Sequence, residues 1–412
     1  MRVLLTHVTL GRGGDAVQWT ALADSLRRAG HDVTVAGAVG VRPYSTRRAA
    51  AGARTVVRRL PWQVRDALEL ALVPVAAARA WWAARDGVDL IVYHAGPYAV
   101  LGPLLAWLWR VPLVACLDAH VPAERGYRSE SYWRSVHEGT ARWLGRTARF
   151  VVTPSWAIAD HYRRIGLPAA KVLVRPGGVL QRHIEMGLRL VETMPPMARA
   201  SECVLGFAGS LSDWHRVDLL LEALALLVAR ADGIAYRLVV VGGGREEPRL
   251  RALARRLGIA QFVEWRGSLP HDDAVAAMAE FDIAVLPSTL PTGSPMKLVE
   301  YAAMGRPIVA PALPNIGDLL APEIEAILVE PGSPAVLAEA IARLARNPVL
   351  ARRIGRLAQS RVRALTWEDT ARLLVCAAIE EEPALTPASP VGRGPVAVAG
   401  TAGTRHAAGH DP

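Results

Sequence analysis

Arg2-Val3-Leu4-Leu5-Thr6-His7-Val8, then Thr9 to Gly14, Ala16 to Ala29 and Asp32-Val33-Thr34-Val35-Ala36, form the stretch whose reading decides the fold. The first seven residues are an apolar run of strand length, Thr9 to Gly14 is a glycine-rich loop, and Ala16 to Ala29 carries apolar residues at helical spacing. Gly30 stops that helix and a second strand follows, so the chain opens as strand, helix, strand, the unit of a parallel sheet. Working outward, short strands are expected at Asp89 to Tyr93, Leu113 to Cys116 and Phe150 to Thr153, alternating with helical patterns. Arg175-Pro176-Gly177-Gly178 breaks the rhythm, and a weakly structured linker is expected over residues 179–200. From Cys203 the cycle restarts with a strand to Ala208, the turn Gly209-Ser210, a helix from about Arg216 to Ala229, a strand Arg237 to Val241 and the run Gly242-Gly243-Gly244. Strands at Phe262 to Trp265, Ile283 to Leu286, Ile308 to Ala310 and Ala326 to Val329 continue it. The expected class is α/β, with two Rossmann-like doubly wound domains over residues 1–178 and 201–366. Residues 367–382 read as a helix placed to cross back to the first domain, and residues 383–412, rich in Ala, Gly, Pro and Thr without apolar periodicity, as a disordered tail.

Composition narrows the function. The length of 412 residues suits two domains at roughly 150 residues each. Cys116, Cys203 and Cys376 lie far apart with no ligand spacing, which points to neither a zinc site nor a disulfide framework and places the chain in a reducing, cytoplasmic compartment. Met1 to Leu10 has none of the three regions of a signal peptide, and Tyr98 to Leu117, the most apolar stretch, is cut by Arg110 and Pro112, so a transmembrane helix is not expected. A net charge of +10 attracts anions of three kinds: nucleic acid, anionic lipid and phosphorylated substrates. Nucleic acid is the weakest, because the arginines are scattered and no recognised motif accompanies them.

The segment Gly293-Ser294-Pro295-Met296-Lys297-Leu298-Val299-Glu300-Tyr301 carries the chemistry. A short apolar strand precedes it, Gly293 and Pro295 keep the loop irregular, and a helix starts near Met296. The free amides and dipole of that helix start favour an anion, and Lys297 adds a point charge, so a diphosphate is the natural occupant. Of 48 Lys plus Arg only Lys171 and Lys297 are lysines, which marks Lys297 as selected for something beyond generic charge. Glu300, one turn on, is suited to accept hydrogen bonds from sugar hydroxyls.

Several segments in order then resemble one family: the Gly13-Gly14 loop with the Gly30-His31-Asp32-Val33 stop, Arg175-Pro176-Gly177-Gly178-Val179, and Phe207-Ala208-Gly209-Ser210 leading to Trp214-His215-Arg216-Val217-Asp218-Leu219-Leu220. Val241-Gly242-Gly243-Gly244, Glu264-Trp265-Arg266-Gly267 and Ser294 to Pro307 complete the set. Over roughly residues 1–380 the chain resembles the family 4 glycosyltransferases, retaining enzymes of the GT-B fold that move a sugar from a nucleotide diphosphate donor. The resemblance implies two domains facing across a cleft, the nucleotide on the second and the acceptor on the first. It implies donor contacts from Gly13, Gly14, Gly209, Ser210, His215, Arg216, Arg266, Thr292, Gly293, Ser294, Pro295, Met296 and Leu298, and catalytic roles for His120, Lys297 and Glu300. Two departures stand out. Ser210 and His215 occupy the places of an Arg and a Lys that bind the diphosphate, with Arg216 beside them as a replacement charge, and Thr292 stands where the first acid of a Glu, seven residues, Glu pattern ending at Glu300 belongs.

Breaking the bond from the anomeric carbon to the diphosphate builds negative charge on the leaving group, which fixed positive potential stabilises. Lys297, Arg216 and helix amides supply it without a metal, no Asp-x-Asp pair is present, and Asp272-Asp273 reads as a helix start with a capping role. No cofactor is expected. The donor base is of the UDP or GDP type, and the acceptor is a glycan, a lipid-linked sugar or a small molecule. His120, after the strand ending at Cys116, is expected at the reacting sugar, His94 is a further acceptor-side candidate, and His31 reads as a turn residue. Nine of 12 tryptophans fall within the first 156 residues, and Trp62 to Arg85 has two readings, packing on the sheet or lying on an anionic membrane. Three other readings compete: a GT-B shell without turnover, a sugar-nucleotide epimerase, and a dinucleotide oxidoreductase through Gly11-x-Gly13-x-x-Ala16. The last is weakened because the strand ends at Val8, before the first glycine, and no acid for a ribose follows the second strand around Gly37 to Gly40.

Overall fold

A computed structural model describes residues 1–8, 14–38, 62–96, 98–117, 132–193, 202–230, 232–291 and 296–379. The first six strands are β1 (Arg2–His7), β2 (Asp32–Gly37), β3 (Leu90–His94), β4 (Leu113–Cys116), β5 (Phe150–Thr153) and β6 (Val172–Val174), in the order β2-β1-β3-β4-β5-β6. Every pair is parallel, with His7 level with Gly37 on one side and His94 on the other. Helices α1 (Gly14–Arg28), α2 (Trp62–Ala83), α3 (Leu101–Trp109), α4 (Tyr132–Thr147) and α5 (Trp156–Arg164) make the crossovers. Successive side chains of β1 enter different cores, Val3 and Leu5 packing with Leu22 of α1, and Leu4 with Leu101 of α3. Burial on both faces is why these strands are apolar without alternation.

The second sheet repeats the design. Strands β7 (Glu202–Ala208), β8 (Ala235–Val241), β9 (Val263–Gly267), β10 (Ile283–Val285), β11 (Ile308–Pro311) and β12 (Ile327–Val329) lie in the order β12-β11-β10-β7-β8-β9, again all parallel. In each sheet the order reverses beside the first strand, so a crevice opens at the carboxyl ends of β1 and β3 and at those of β7 and β10.

Two stretches differ from the sequence reading. Residues 179–200 were expected to be weakly structured, yet α6 (Gln181–Thr193) occupies most of them and lays Ile184, Met186, Leu188 and Leu190 against the second core. Apolar residues at every second position mimic a strand pattern, and packing overrides that local signal. Gly187 lets α6 pass close to α10 (Met296–Ala303), since a Cβ there would run into the Ala303 carbonyl. The edge strand β6, three residues long, was also not anticipated.

The chain passes between the sheets twice, at the same place. Val179 and Thr366 form a parallel bridge, with Val179 N–H donating to Leu365 O at 2.9 Å and Trp367 N–H to Val179 O at 3.1 Å. Arg175 clamps the crossing by donating to Thr370 Oγ1 at 3.2 Å and Ala364 O at 2.8 Å. The helix from Trp367 to Ile379, α14 once α7 (Val217–Ala229), α8 (Glu247–Arg256), α9 (His271–Met278), α11 (Pro314–Gly317), α12 (Pro334–Arg346) and α13 (Pro348–Val362) are counted, then packs Trp367, Ala371 and Leu374 with Leu22 and Leu26 of α1. The expected tail over residues 383–412 lies outside the described residues.

Gly187→Ala separates propensity from packing. Alanine raises intrinsic helix propensity by ~1 kcal/mol, while overpacking costs ~1–3 kcal/mol. We expect a net loss of stability, read as a lower melting temperature; a rise would mean that α6 does not approach Ala303 this closely.

Candidate active site

The carboxyl end of β7 is shaped for a lysine. Gly209 leaves the strand at φ 145° and donates its amide to Val241 O at 2.8 Å. A Cβ here would stand 2.7 Å from Lys297 Nζ, so both the left-handed backbone and the lysine's path require glycine. Lys297 rises from the first turn of α10 over the face of Phe207, its Nζ 5.0 Å from the ring centre. Its polar partner is His215, whose Nε2 lies 2.7 Å from Nζ. His215 is buried at the end of the short turn Asp213–His215, and its Nδ1 sits 2.7 Å from the Ser210 carbonyl. A carbonyl only accepts, so Nδ1 carries the proton and Nε2 presents a lone pair to the ammonium.

The electrostatics follow. Burial, then the neighbouring Lys297 charge, pushes the His215 pKa down to about 3, which keeps the imidazole neutral. Burial lowers Lys297 to about 7 against the opposing pull of Glu300. A lysine so shifted titrates near neutral pH, and an anion brought beside it would favour the charged form.

Glu300, one turn along α10, is buried, and its Oε1 lies 2.7 Å from His271 Nε2 at the start of α9. Burial works to lower the His271 pKa, but the hydrogen bond to Glu300 and its charge prevail and raise it. The His271 ring lies 5.4 Å from that of His183 on α6, and His183 Nε2 is 2.9 Å from Asp272 Oδ1, which also accepts from Arg182 at 2.7 Å. Asp272 thus has a different task from the capping expected of it: the residue before α9 is Pro270, no side chain caps the helix, and Asp272 ties α9 to α6. Among the described residues, His183, His271 and Asp272 form the one group that could hold a metal ion, with ligand atoms within 4.8 Å of one another. His271 is engaged by Glu300, and Asp272 by Arg182 and His183.

The remaining candidates fall in different places. Gly209, Ser210, His215, Lys297 and Glu300 converge on one crevice, joined by His271 and Phe207, which the sequence reading missed because nothing in their spacing links them to α10. Arg216, proposed as the replacement charge, turns its Nε to both Asp218 carboxylate oxygens at 3.1 and 3.2 Å, so the cation against His215 is Lys297 instead. Arg266 at the end of β9 donates to Glu264 at 2.7 Å and bidentately to Glu280 at 2.7 and 2.6 Å, which raises its pKa and engages all three of its nitrogens. Leu298 is wholly buried in the second core, so its side chain is packing and only its main chain can meet a ligand. Met296, by contrast, packs against the first-domain cluster that holds Trp19, Val92 and Val114. Gly14 is the first residue of α1, while Gly13, His120, Thr292, Gly293, Ser294 and Pro295 lie outside the described residues.

On the first domain, His7 and His94 stand side by side at the ends of β1 and β3, and the Trp19 ring meets His94 edge-on at 5.4 Å. His7 is buried with neither ring nitrogen hydrogen-bonded, and burial, followed by the His94 charge, lowers its pKa to about 4.

Comparison with known proteins identifies the family and the fold. Residues 12–180 match the family described as Glycosyltransferase Family 4, and residues 202–347 the family described as Glycosyl transferases group 1. The chain is similar to D-inositol 3-phosphate glycosyltransferases, at 28% identity to that of Streptomyces griseus over 71% of this chain and 67% of the relative. Identity to that of Saccharomonospora viridis is 29%, over 70% of this chain and 69% of the relative. In fold it is similar to Anabaena HepE crystallised with UDP, with a TM-score of 0.68 at 20% identity over 91% of this chain and 98% of that one. Sucrose-phosphate synthase of Thermosynechococcus elongatus gives a TM-score of 0.65 at 18% identity over 90% and 97%. With one family match on each of its two parallel sheets, this chain belongs to the family 4 glycosyltransferases and has the GT-B fold.

Proposed function

We propose that the enzyme transfers a sugar from a nucleotide diphosphate sugar to an acceptor hydroxyl, with retention and without a metal. The observation that carries this reading is Lys297, half-buried at the start of α10 and aimed by His215 past Gly209. As the bond from the anomeric carbon to the diphosphate oxygen breaks, charge grows on that oxygen, and the ammonium and the first amides of α10 lie where they offset it. The departing phosphate takes the proton of the acceptor hydroxyl while the new bond forms on the same face. His215 cannot compete for that proton, because its pKa lies far below neutral. Glu300, with Oε1 fixed by His271, accepts from hydroxyls of the donor. UDP is the first nucleotide to test, since HepE was crystallised with UDP and with UDP-glucose. The relatives' name makes a phosphorylated cyclitol the first acceptor to try, before glycan or lipid-linked acceptors. Cys116, Cys203 and Cys376 form no disulfide, which suits a cytoplasmic enzyme. Product analysis with UDP-glucose separates transfer from epimerisation and from binding without turnover.

A thermal-shift panel of UDP, GDP, ADP, TDP and their sugars identifies the donor, because a ligand of the folded state raises its stability. We expect Lys297→Ala to weaken the bound nucleotide by roughly 10–150-fold, the equivalent of a charge-assisted hydrogen bond of ~1.5–3 kcal/mol. An unchanged shift would move the diphosphate away from α10.

Lys297 should also gain a proton from solvent on binding above pH 7, where burial favours its neutral form. Calorimetry in two buffers of different ionisation enthalpy measures this: uptake should rise towards one proton between pH 7 and pH 9 and vanish in Lys297→Ala. No uptake in the wild type would mean that Lys297 is already charged.

His271→Ala removes the partner of Glu300 Oε1, and we expect about tenfold weaker nucleotide-sugar binding, the value of ~1.4 kcal/mol. His271→Gln should recover part of it. Equal affinity for all three proteins would detach Glu300 from the donor.

A further inference from the structure

The outward face of α2 is apolar where a surface helix is ordinarily polar. Val73, Ala76 and Ala80 face the core, and on the opposite side Val64, Leu68, Ala71, Val75, Ala78 and Trp82 follow at intervals of four, three, four, three and four residues. This is one continuous exposed stripe about five turns long. At its end α3 adds Trp107 and Leu108, and a stacked pair, Trp81 on Trp109 at 5.7 Å, ties the two helices together. Trp82 is 70% exposed and Trp107 72% exposed, a large apolar area for a protein to leave in water.

The charge around the stripe selects its occupant. Arg85 holds its guanidinium 5.1 Å over the Trp82 ring, Arg79 flanks the stripe, and Arg110 closes α3, all exposed; Asp86 lies 3.9 Å from Arg85. Residues 1–178 contain 24 Lys plus Arg against 12 Asp plus Glu, while residues 179–412 contain 24 against 26. The first domain thus carries +12, and the rest of the chain −2. A second copy docking through the same face would bring two strongly basic domains together, at an electrostatic cost. An anionic bilayer meets both demands, taking aromatic and aliphatic side chains into its interface and the arginines at its headgroups. No helix among the described residues is long and apolar enough to cross a membrane, so the contact lies in the surface plane.

We propose that α2 and the end of α3 form a docking surface for a bilayer containing anionic lipid, which holds the first domain at the membrane. The inference is independent of the donor and acceptor assigned above.

The test uses the full chain and vesicles of phosphatidylcholine with or without phosphatidylglycerol. Sedimentation with the anionic vesicles, loss of binding in high salt and a blue shift of tryptophan emission are expected. Trp82→Ser with Trp107→Ser should weaken binding about tenfold or more while leaving the melting temperature and nucleotide affinity unchanged, and Leu68→Gln with Val75→Gln, on the same stripe, should act alike. Failure to bind anionic vesicles, or full binding by both double variants, would overturn the proposal. So would concentration-dependent dimerisation that these substitutions abolish, since the face would then belong to a second copy.

Discussion

The contact between Lys297 Nζ and the neutral imidazole of His215, 2.7 Å long, is the constraint around which the crevice is built. Bringing an ammonium into partial burial is unfavourable, which is why its pKa falls to about 7, and each neighbour limits that penalty. The Ser210 carbonyl fixes the tautomer that lets His215 accept, the Phe207 face offers its quadrupole, and Gly209 leaves the space. The result is a lysine whose charge is opposed by burial, so that an environment richer in negative charge would favour its protonated form.

A second constraint decides which surfaces meet across the cleft. Both passages of the chain between the sheets run through one bridge, Val179 with Thr366, and Arg175 ties the outgoing strand to the returning helix. Because α14 packs on α1 and Met296 reaches the same first-domain cluster, the start of α10 stands opposite the carboxyl ends of β1 and β3. His7, His94 and Trp19 gather at those ends. The carboxyl ends of the two sheets are thereby held as neighbours by packing at the crossing and along α14.

The two departures from the family pattern have different standing. Where the resemblance implies a loss of charge at Ser210 and His215, Lys297 arrives from another element and lies against His215. The carboxylate lost at Thr292 lies in a stretch outside the described residues, and within them Glu300 is instead steadied by His271 and the network His183, Asp272 and Arg182.

The sequence by itself determined the two α/β cycles, the switch from strand to helix at Met296, and Lys297 and Glu300 as the residues to watch. Those signals are local: apolar periodicity, glycine and proline stops, and a helix start beside a rare lysine. Tertiary structure alone decided the rest. That Lys297 rather than Arg216 faces His215, that His271 holds Glu300, that Arg266 is engaged by Glu280, and that α6 is a helix at all depend on contacts between residues 14 to 116 positions apart. Hydrogen-bond geometry and core packing act through space, and no spacing rule along the chain encodes which distant partner a side chain will meet.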